Sequence, residues 1–376
     1  MKQNNKIIVV PDSFKGGISS KIFCNISKEA IHNIFPNAQV VTIPISDGGE
    51  GTVDAYLSSV GGKKVSTIVK NPFFEDMESF YGMLPDKTAV IEMAACAGLP
   101  LASGRENPLV TTTYGVGQLI SHAVNAGCSR IILAMGGSST NDAGCGMASA
   151  LGVKFFDAQN KEFIPSGGTL CEIERIDTHG LKLHIPVTAM CDIDNPLYGK
   201  NGAAHVFAPQ KGADEAAVKL LDDGLRHFAG LVKDQLHSDV ELLAGGGAAG
   251  GLGAGAVCFL GADLKMGIQV LLDTNNFDRL LSDTDFVITG EGRIDTQSLR
   301  GKAVIGVAKR AKYKNVPVIA FVGDIGDDID EVYELGVSGI FSINRVAVPY
   351  EKAILRSEND LYLTIENVLR FIKNMC

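Results

Sequence analysis

Short apolar runs recur at both ends of the chain, each followed by a polar loop and an amphipathic segment. This order is typical of parallel strands whose two faces are covered by helices. The strands are predicted at Ile7–Pro11, Val40–Ile45, Phe286–Thr289, Val316–Val322 and Gly339–Ile343. The clearest helices are predicted from Ser19 or Ser20 to about Phe35, near Val304–Lys312 and near Leu361–Lys373.

The middle of the chain has a different pattern, with a strand meander followed by isolated strands and helices. The predicted elements are strands at Val65–Val69, Ser79–Leu84, Ala89–Ala94, Arg130–Met135 and Pro186–Met190, and a helix at Leu109–Gly127. We therefore predict an α/β fold with a split Rossmann-like parallel-sheet domain and an inserted mixed α/β domain. The split domain would comprise residues 1–62 and 284–376, and the inserted domain residues 63–283.

Composition and charge exclude several classes of protein. A net charge of −9 disfavours nucleic-acid binding, because phosphate backbones attract basic surfaces. The eight cysteines contain no CxxC pair, so we expect reduced thiols in the cytoplasm rather than a zinc site or disulfides. The first apolar run is too short for a signal peptide. Residues 242–262 carry no charge, but eight of them are glycine, which favours a loop and a buried helix over a membrane span.

Two loops near the N-terminus carry candidate ligand-binding groups. Ser13 and Lys15 follow the first strand, where Lys15 could neutralise a phosphate or a carboxylate. Asp47 lies in the glycine-rich loop after the second strand, and one or two such carboxylates are enough for Mg²⁺. Ligands of open α/β sheets bind at this edge. The structural alternatives are ordinary strand–helix turns with a solvated lysine and a capping aspartate.

Two loops of the middle region are candidates as well. Gly136, Gly137, Ser138 and Ser139 precede a small-residue stretch, and backbone N–H groups at such a helix start form an anion nest. Asp192 follows a strand and is a candidate base for a substrate hydroxyl. A serine-rich helix cap and a turn before Pro196 are the structural alternatives.

The segment Thr289–Asp295 combines three charged side chains directly after an apolar strand. Glu291 and Asp295 could hold a metal, Arg293 could bind a carboxylate, and Lys302 could meet phosphate at the next helix start. A solvated charged turn is the alternative. These parts suit phosphoryl transfer, which depends on positioning and charge neutralisation, but they name no substrate.

Several enzyme classes lack their motifs here. The sequence contains neither a P-loop nor protein-kinase signatures, GxSxG or HExxH. Gly245–Gly250 matches GxGxxG, but no clear strand precedes it, so a dinucleotide-binding fingerprint is weakly supported. The loop after the first strand also lacks this fingerprint. A nicotinamide-dependent dehydrogenase therefore stays an alternative only because Asp47 lies near the end of the second strand, where such enzymes have an acidic residue.

At these same loops the sequence resembles the bacterial glycerate kinase family that lacks a P-loop. The matching segments are PDSFKG (11–16), SDGGEGT (46–52), TTYGVGQLI (112–120), GGSSTNDAG (136–144), CDIDNPLYG (191–199), FAPQKGA (207–213), GAAGGLG (247–253) and TGEGRIDTQSLRGK (289–302). The resemblance implies ATP- and Mg²⁺-dependent phosphorylation of D-glycerate in a cleft between the two domains. The expected product is 2-phosphoglycerate, as in many relatives.

With that resemblance, candidate roles are assigned to the loop residues. Lys15, Arg293 and Lys302 would neutralise phosphates and the glycerate carboxylate. Asp47, Glu291 and Asp295 would hold Mg²⁺, directly or through water, and Asp192 would orient or deprotonate the hydroxyl. Gly136, Gly137, Ser138 and Ser139 would cradle an anion, either the triphosphate or glycerate. The candidate ATP-binding residues are these four together with Ser13 and Lys302. The alternatives are a kinase for another hydroxy acid, a kinase that forms 3-phosphoglycerate, and a non-catalytic sugar-acid sensor. Nucleic acid and membranes are not expected partners, and a homo-oligomer remains open.

Overall fold

The computed structural model describes residues 5–14, 16–46, 48–296, 298–300 (without the Arg300 side chain) and 303–375. Its strands are β1 (Lys6–Pro11), β2 (Gln39–Thr42), β3 (Lys63–Lys70), β4 (Asp76–Met83), β5 (Thr88–Glu92), β6 (Arg130–Ala134), β7 (Lys154–Phe156), β8 (Glu162–Phe163), β9 (Arg175–Asp177), β10 (Val187–Met190), β11 (Asp263–Lys265), β12 (Phe286–Ile294), β13 (Val318–Ile325) and β14 (Val337–Ser342).

The helices are α1 (Ser20–Ile34), α2 (Thr52–Val60), α3 (Ala94–Ala97), α4 (Tyr114–Asn125), α5 (Cys145–Ala150), α6 (Ala203–Phe207), α7 (Glu215–Leu236), α8 (Ala248–Leu260), α9 (Gly267–Thr274), α10 (Phe277–Leu280), α11 (Ala303–Tyr313), α12 (Glu331–Glu334), α13 (Tyr350–Ile354) and α14 (Ser357–Met375). None of the described helices is long and apolar enough to cross a membrane.

Contacts within the chain divide it into two units. The first contains residues 1–46, 58–60 and 268–376, and the second contains residues 47–57 and 61–267. The predicted fold class is confirmed, because one sheet is built from both ends of the chain and the others from the middle. The predicted domain boundaries, residues 1–62 with 284–376 and 63–283, stay a prediction.

The first unit is built on a five-stranded parallel sheet in the order β14-β13-β12-β1-β2. Ile7–Val10 of β1 are completely buried, as expected for a strand covered on both faces. Helix α1 begins where the Ser19 hydroxyl accepts a hydrogen bond from the Ile22 amide at 3.2 Å. Its apolar side chains, including Phe23 and Ile31, then pack into the core of this unit.

The second unit contains a six-stranded sheet in the order β11-β10-β6-β5-β4-β3 and a small sheet in the order β8-β7-β9. Strands β5, β6, β10 and β11 run parallel, whereas β3 and β4 extend the sheet as an antiparallel meander, as predicted. Helix α8 is largely buried in the uncharged glycine-rich stretch, which agrees with the predicted loop and buried helix.

Two predicted boundaries were wrong. The strand that begins at Phe286 does not end at Thr289 but runs to Ile294, because its backbone continues to pair with β13, Glu291 opposite Val322 and Arg293 opposite Asp324. The helix predicted over Leu109–Gly127 begins only at Tyr114. Its predicted first turn is instead held by hydrogen bonds from the Thr113 amide and hydroxyl to Asp142.

Candidate active site

The carboxyl ends of four parallel strands meet at one edge of the sheet in the second unit. Glu92 is the last residue of β5, the loop from Gly136 to Asp142 follows β6, and Asp192 follows β10. Parallel α/β sheets bind their ligands at this edge. The predicted site residues of the middle region therefore lie along one edge, as their positions after separate strands required.

The loop after β6 packs directly on the loop that precedes α2. The Gly136 amide donates to the carbonyl oxygen of Gly48 at 2.8 Å. A Cβ at residue 136 would stand 2.6 Å from the Gly49 nitrogen, far inside van der Waals contact, so only glycine fits there. Gly137 has φ +72°, a left-handed conformation that also favours glycine. The two glycines predicted as site residues thus allow the two loops to approach closely.

Glu92 holds the start of α2 in place. Its side chain is only 3% exposed, and Oε2 accepts a hydrogen bond from the Val53 amide at 2.8 Å. The helix N-cap is Gly51, which has no side chain of its own to do this. Burial raises the pKa of the Glu92 carboxyl, while hydrogen bonds from the Val53 and Gly51 amides act in the opposite direction. Glu92 therefore fixes the loop that packs on Gly136.

The anion nest predicted at residues 136–139 lies instead at the start of α5, where its amides bind a side chain of the chain itself. Helix α5 begins only at Cys145, with Gly144 as its N-cap, so residues 136–139 do not form a helix start. The amides of Gly144 and Gly146 donate instead to the fully buried Asp142, at 3.1 and 3.2 Å. This carboxylate also accepts from the Thr113 amide and hydroxyl, each at 2.8 Å. The anion in the nest is thus a side chain of the chain itself.

The two predicted serines of this loop have different partners. The Ser139 hydroxyl donates to the Ala97 carbonyl at 3.0 Å, which ties the loop to α3. The Ser138 hydroxyl accepts a hydrogen bond from the Lys211 ammonium at 2.8 Å. Lys211 also donates to the Thr140 carbonyl at 2.7 Å, although its side chain is almost completely buried. Burial lowers the pKa of Lys211 to about 7, and the nearby charge of Asp142 partly opposes that shift.

Asp192 lies at the same edge, directly after β10. Its Oδ1 accepts a hydrogen bond from the Gly267 amide at 2.7 Å. The carboxylate is thereby oriented by the backbone at the first residue of α9. Asp192 is exposed, and this hydrogen bond holds one of its two carboxylate oxygens.

The predicted site residues of the first unit follow β1 and β12. Ser13 is exposed, and its amide donates to Asp12 Oδ1 at 2.6 Å. Glu291 is 6% exposed within β12. Arg293, with a side chain 60% exposed, lies between two carboxylates: its Nε is 3.7 Å from Asp295 Oδ2 and 3.6 Å from Asp324 Oδ2. Arg293 and Asp295, predicted to bind a carboxylate and a metal respectively, thus form an ion pair with each other.

Three predicted site residues, Lys15, Asp47 and Lys302, lie outside the described residues. Within the described part of the chain, no group of three or more His, Cys, Asp or Glu side chains is arranged to hold a metal ion. Glu291 and Asp295 nevertheless offer the hard oxygen donors that Mg²⁺ prefers, and Mg²⁺ commonly takes only one or two protein carboxylates. Their donor chemistry therefore fits this ion.

Comparison with known proteins places this arrangement in a family. The model of the "Glycerate kinase family" matches residues 7–373. The chain belongs to the glycerate kinase family. It is 44% identical to a Bacillus cereus glycerate kinase, over 96% of this chain and 97% of the relative. It is 43% identical to the Escherichia coli K12 glycerate 2-kinase, over 90% of each chain.

A solved structure supports the same assignment. The crystal structure named for glycerate kinase 2 of Salmonella typhimurium LT2 superimposes with a TM-score of 0.87 at 40% identity, and covers 99% of each chain. This glycerate kinase family member is therefore an enzyme of the kinase class, and the resemblance drawn from the loop motifs is confirmed.

Three residues of this family member were not predicted to belong to the site. Glu92 ends an apolar strand, Asp142 ends the loop motif GGSSTND, and Lys211 lies in the motif FAPQKGA. One signal was available for Lys211, because its neighbours in that motif are mostly small or apolar, whereas a solvated lysine usually has polar neighbours. The Val53 partner of Glu92 and the Thr113 partner of Asp142 are distant in sequence, so no local signal pointed to those contacts.

Proposed function

We propose that this enzyme transfers the terminal phosphoryl group of ATP to D-glycerate and releases 2-phosphoglycerate and ADP, with Mg²⁺. Family membership supports the substrate and the reaction class, and the relative named glycerate 2-kinase supports the position of transfer. The observation that carries the proposal is the carboxyl edge of the second unit, where Asp192 and the loop from Gly136 to Ser139 follow neighbouring strands. The cytoplasm remains the proposed location, on the cysteine pattern of the sequence.

The proposed roles fall on residues of both units. Asp192 orients the attacking hydroxyl of glycerate and accepts its proton. Gly136, Gly137, Ser138 and Ser139 line the site for an anion. Ser13, Lys15, Arg293 and Lys302 are proposed to bind phosphate or carboxylate oxygens.

Asp47, Glu291 and Asp295 would hold Mg²⁺, which supplies charge neutralisation on the phosphates when bound. The carboxylate side chains available for this role agree with the preference of Mg²⁺ for oxygen ligands. The ion pair between Arg293 and Asp295 would keep a cation beside that metal, where negative phosphate oxygens are expected.

A coupled assay of ADP release with D-glycerate tests the reaction and the role of Asp192. Asp192→Asn is expected to lower kcat on the order of 100-fold, because the amide cannot accept the proton. Asp194→Asn is the matched control, an exposed aspartate two residues further along the same loop. Phosphorus NMR of the products distinguishes 2- from 3-phosphoglycerate. No ADP release with glycerate, or equal kcat for the two variants, would contradict the proposal.

A further inference from the structure

A buried lysine that forms no ion pair with any carboxylate in the described part of the chain lies beside the Gly136–Asp142 loop. Lys211 ends the short 3-10 turn Pro209–Lys211 after α6, and it is only 2% exposed. Its two hydrogen bonds go to neutral groups, the Ser138 hydroxyl and the Thr140 carbonyl. Among the described residues, no carboxylate forms an ion pair with it. Because a buried charge with no ion-pair partner is costly, an anion bound beside Lys211 would favour its charged form.

Polar groups of the same loop also lack partners. The Thr140 hydroxyl and both polar atoms of the Asn141 amide are buried and have no hydrogen-bond partner in the described part of the chain. Buried polar side chains nearly always have one. The next residue, Asp142, is by contrast fully engaged by donors from three segments of the chain. Within this loop, the buried polar side chains without a hydrogen-bond partner are therefore those of residues 140 and 141.

Ser138 adds a further donor. Its oxygen accepts the hydrogen bond from Lys211, which leaves the hydroxyl hydrogen to donate elsewhere. Two of the three ammonium hydrogens of Lys211 are used by Ser138 and Thr140, so one remains for a ligand. Together these groups offer one positive charge and several neutral donors and acceptors.

This set of groups fits a small monocarboxylate with hydroxyl groups better than a triphosphate. Triphosphates carry several negative charges and are normally met by several cations and a metal. Glycerate has one carboxylate and two hydroxyls, each of which can both donate and accept a hydrogen bond. One cation, two hydroxyls and one amide match that inventory in charge and in hydrogen-bonding capacity.

We propose that Lys211, Ser138, Thr140 and Asn141 form the subsite for the hydroxy acid, with Lys211 and Ser138 on its carboxylate and Thr140 and Asn141 on its hydroxyls. This inference rests on the proposed function and assigns Ser138 to the acid rather than to the nucleotide. The lowered pKa of Lys211 agrees with it, since a cation held in a dry place gains most from a bound anion.

The test measures KM for D-glycerate and KM for ATP separately in each variant. Lys211→Met is expected to raise KM for D-glycerate about 10- to 100-fold, the loss expected for a charge-assisted hydrogen bond, and to change KM for ATP less than about twofold. Lys154→Met is the matched control, a lysine of the same unit in an exposed ion pair with Glu162. Thermal unfolding of each variant shows whether it folds.

A second variant covers the case in which Lys211→Met does not fold. Ser138→Ala removes one hydroxyl and is expected to raise KM for glycerate about tenfold, again with little change for ATP. A change only in KM for ATP would assign the loop to the nucleotide, and equal changes in both constants would show that the loop is specific for neither substrate; either result would overturn the inference.

Calorimetry separates failure of this inference from failure of the proposed reaction. D-glycerate is titrated into the wild type and both variants, with and without ADP. Binding by the wild type that is lost in the variants supports the subsite even if no phosphoryl transfer is found. Equal affinity in all three proteins, or no binding to the wild type under either condition, would overturn the subsite.

Discussion

The loop after β6 in the second unit and the end of β12 in the first unit hold their polar side chains in contrasting ways. In the second unit, residues 138–142 of the loop after β6 are buried and are fixed by backbone amides, the Asp142 carboxylate and the Lys211 ammonium, whereas Asp192 after β10 is exposed. In the first unit Glu291 is buried, but Arg293 further along β12 has more than half of its side chain in solvent between two carboxylates. Both lie at the carboxyl end of parallel strands, where α/β sheets in general bind their ligands.

From this contrast we expect the buried polar residues to shape a site and the exposed ones to supply charge to it. Buried, fully bonded groups such as Asp142 are expected to matter for folding, since removing one partner leaves the others unsatisfied. Exposed ion pairs contribute little to stability and are free to change partners when a ligand binds. Variants in the two regions should therefore separate stability from activity.

The largest effect is expected at Asp142. Asp142→Ala should lower the free energy of unfolding by about 3 to 5 kcal/mol, because the Thr113, Gly144 and Gly146 donors lose their buried acceptor. Asp324→Ala, at the exposed edge, should change it by less than about 0.5 kcal/mol. Urea denaturation measures both, and similar losses would remove the distinction between the two edges.

The next effect is a pH dependence that comes from Lys211. Its pKa is about 7 in the folded protein and near 10.5 when exposed, so unfolding takes up a proton between these values. The free energy of unfolding should therefore rise with pH in that window and lose this contribution as the pH falls to 7. Relative to Lys211→Met, the wild type should gain about 2 kcal/mol from pH 7 to 9, at about 1.4 kcal/mol per pKa unit.

Parallel denaturation profiles of wild type and Lys211→Met over that range would show that Lys211 is not desolvated. Asp142 is present in both proteins, so its own titration largely cancels in the difference between the two curves. The difference between the two curves then measures the titration of Lys211 alone.

A smaller effect is expected at the contact between the two loops of the second unit. Gly136→Ala should destabilise the fold by about 1 to 2 kcal/mol and reduce activity, because the new methyl group would collide with the backbone of Gly48 and Gly49. Gly230→Ala is the matched control in α7, where an added methyl group meets nothing within 4 Å. That change should stabilise the helix by about 0.5 to 1 kcal/mol. Equal behaviour of the two variants would contradict the close approach.

The smallest effect on stability is expected at Arg293. Arg293→Met should leave the free energy of unfolding within about 0.5 kcal/mol of the wild type, because the ion pairs are exposed. Its kcat/KM should nevertheless fall on the order of 100-fold if this cation meets phosphate. Arg279→Met, an exposed arginine of the same unit, is the control. Unchanged kcat/KM in Arg293→Met would remove that role.

Much of the fold could be predicted because its signals are local. The buried run Ile7–Val10 identified a central strand, and Ser19 marked the start of α1. The family was predicted from loop motifs that lie along the whole chain. Gly136 and Asp192 each follow a predicted strand, which is the position where ligands bind in α/β sheets.

Tertiary structure alone decided which side chains shape that edge. The extension of β12 through Glu291 depended on β13, and the late start of α4 depended on Asp142. Glu92 and Lys211 acquire their roles from partners 39 and 73 residues away. The sequence determined the elements and the family, because periodicity and motifs lie within short segments. Burial and hydrogen bonding in the site were decided by folding, because they arise only when distant segments pack together.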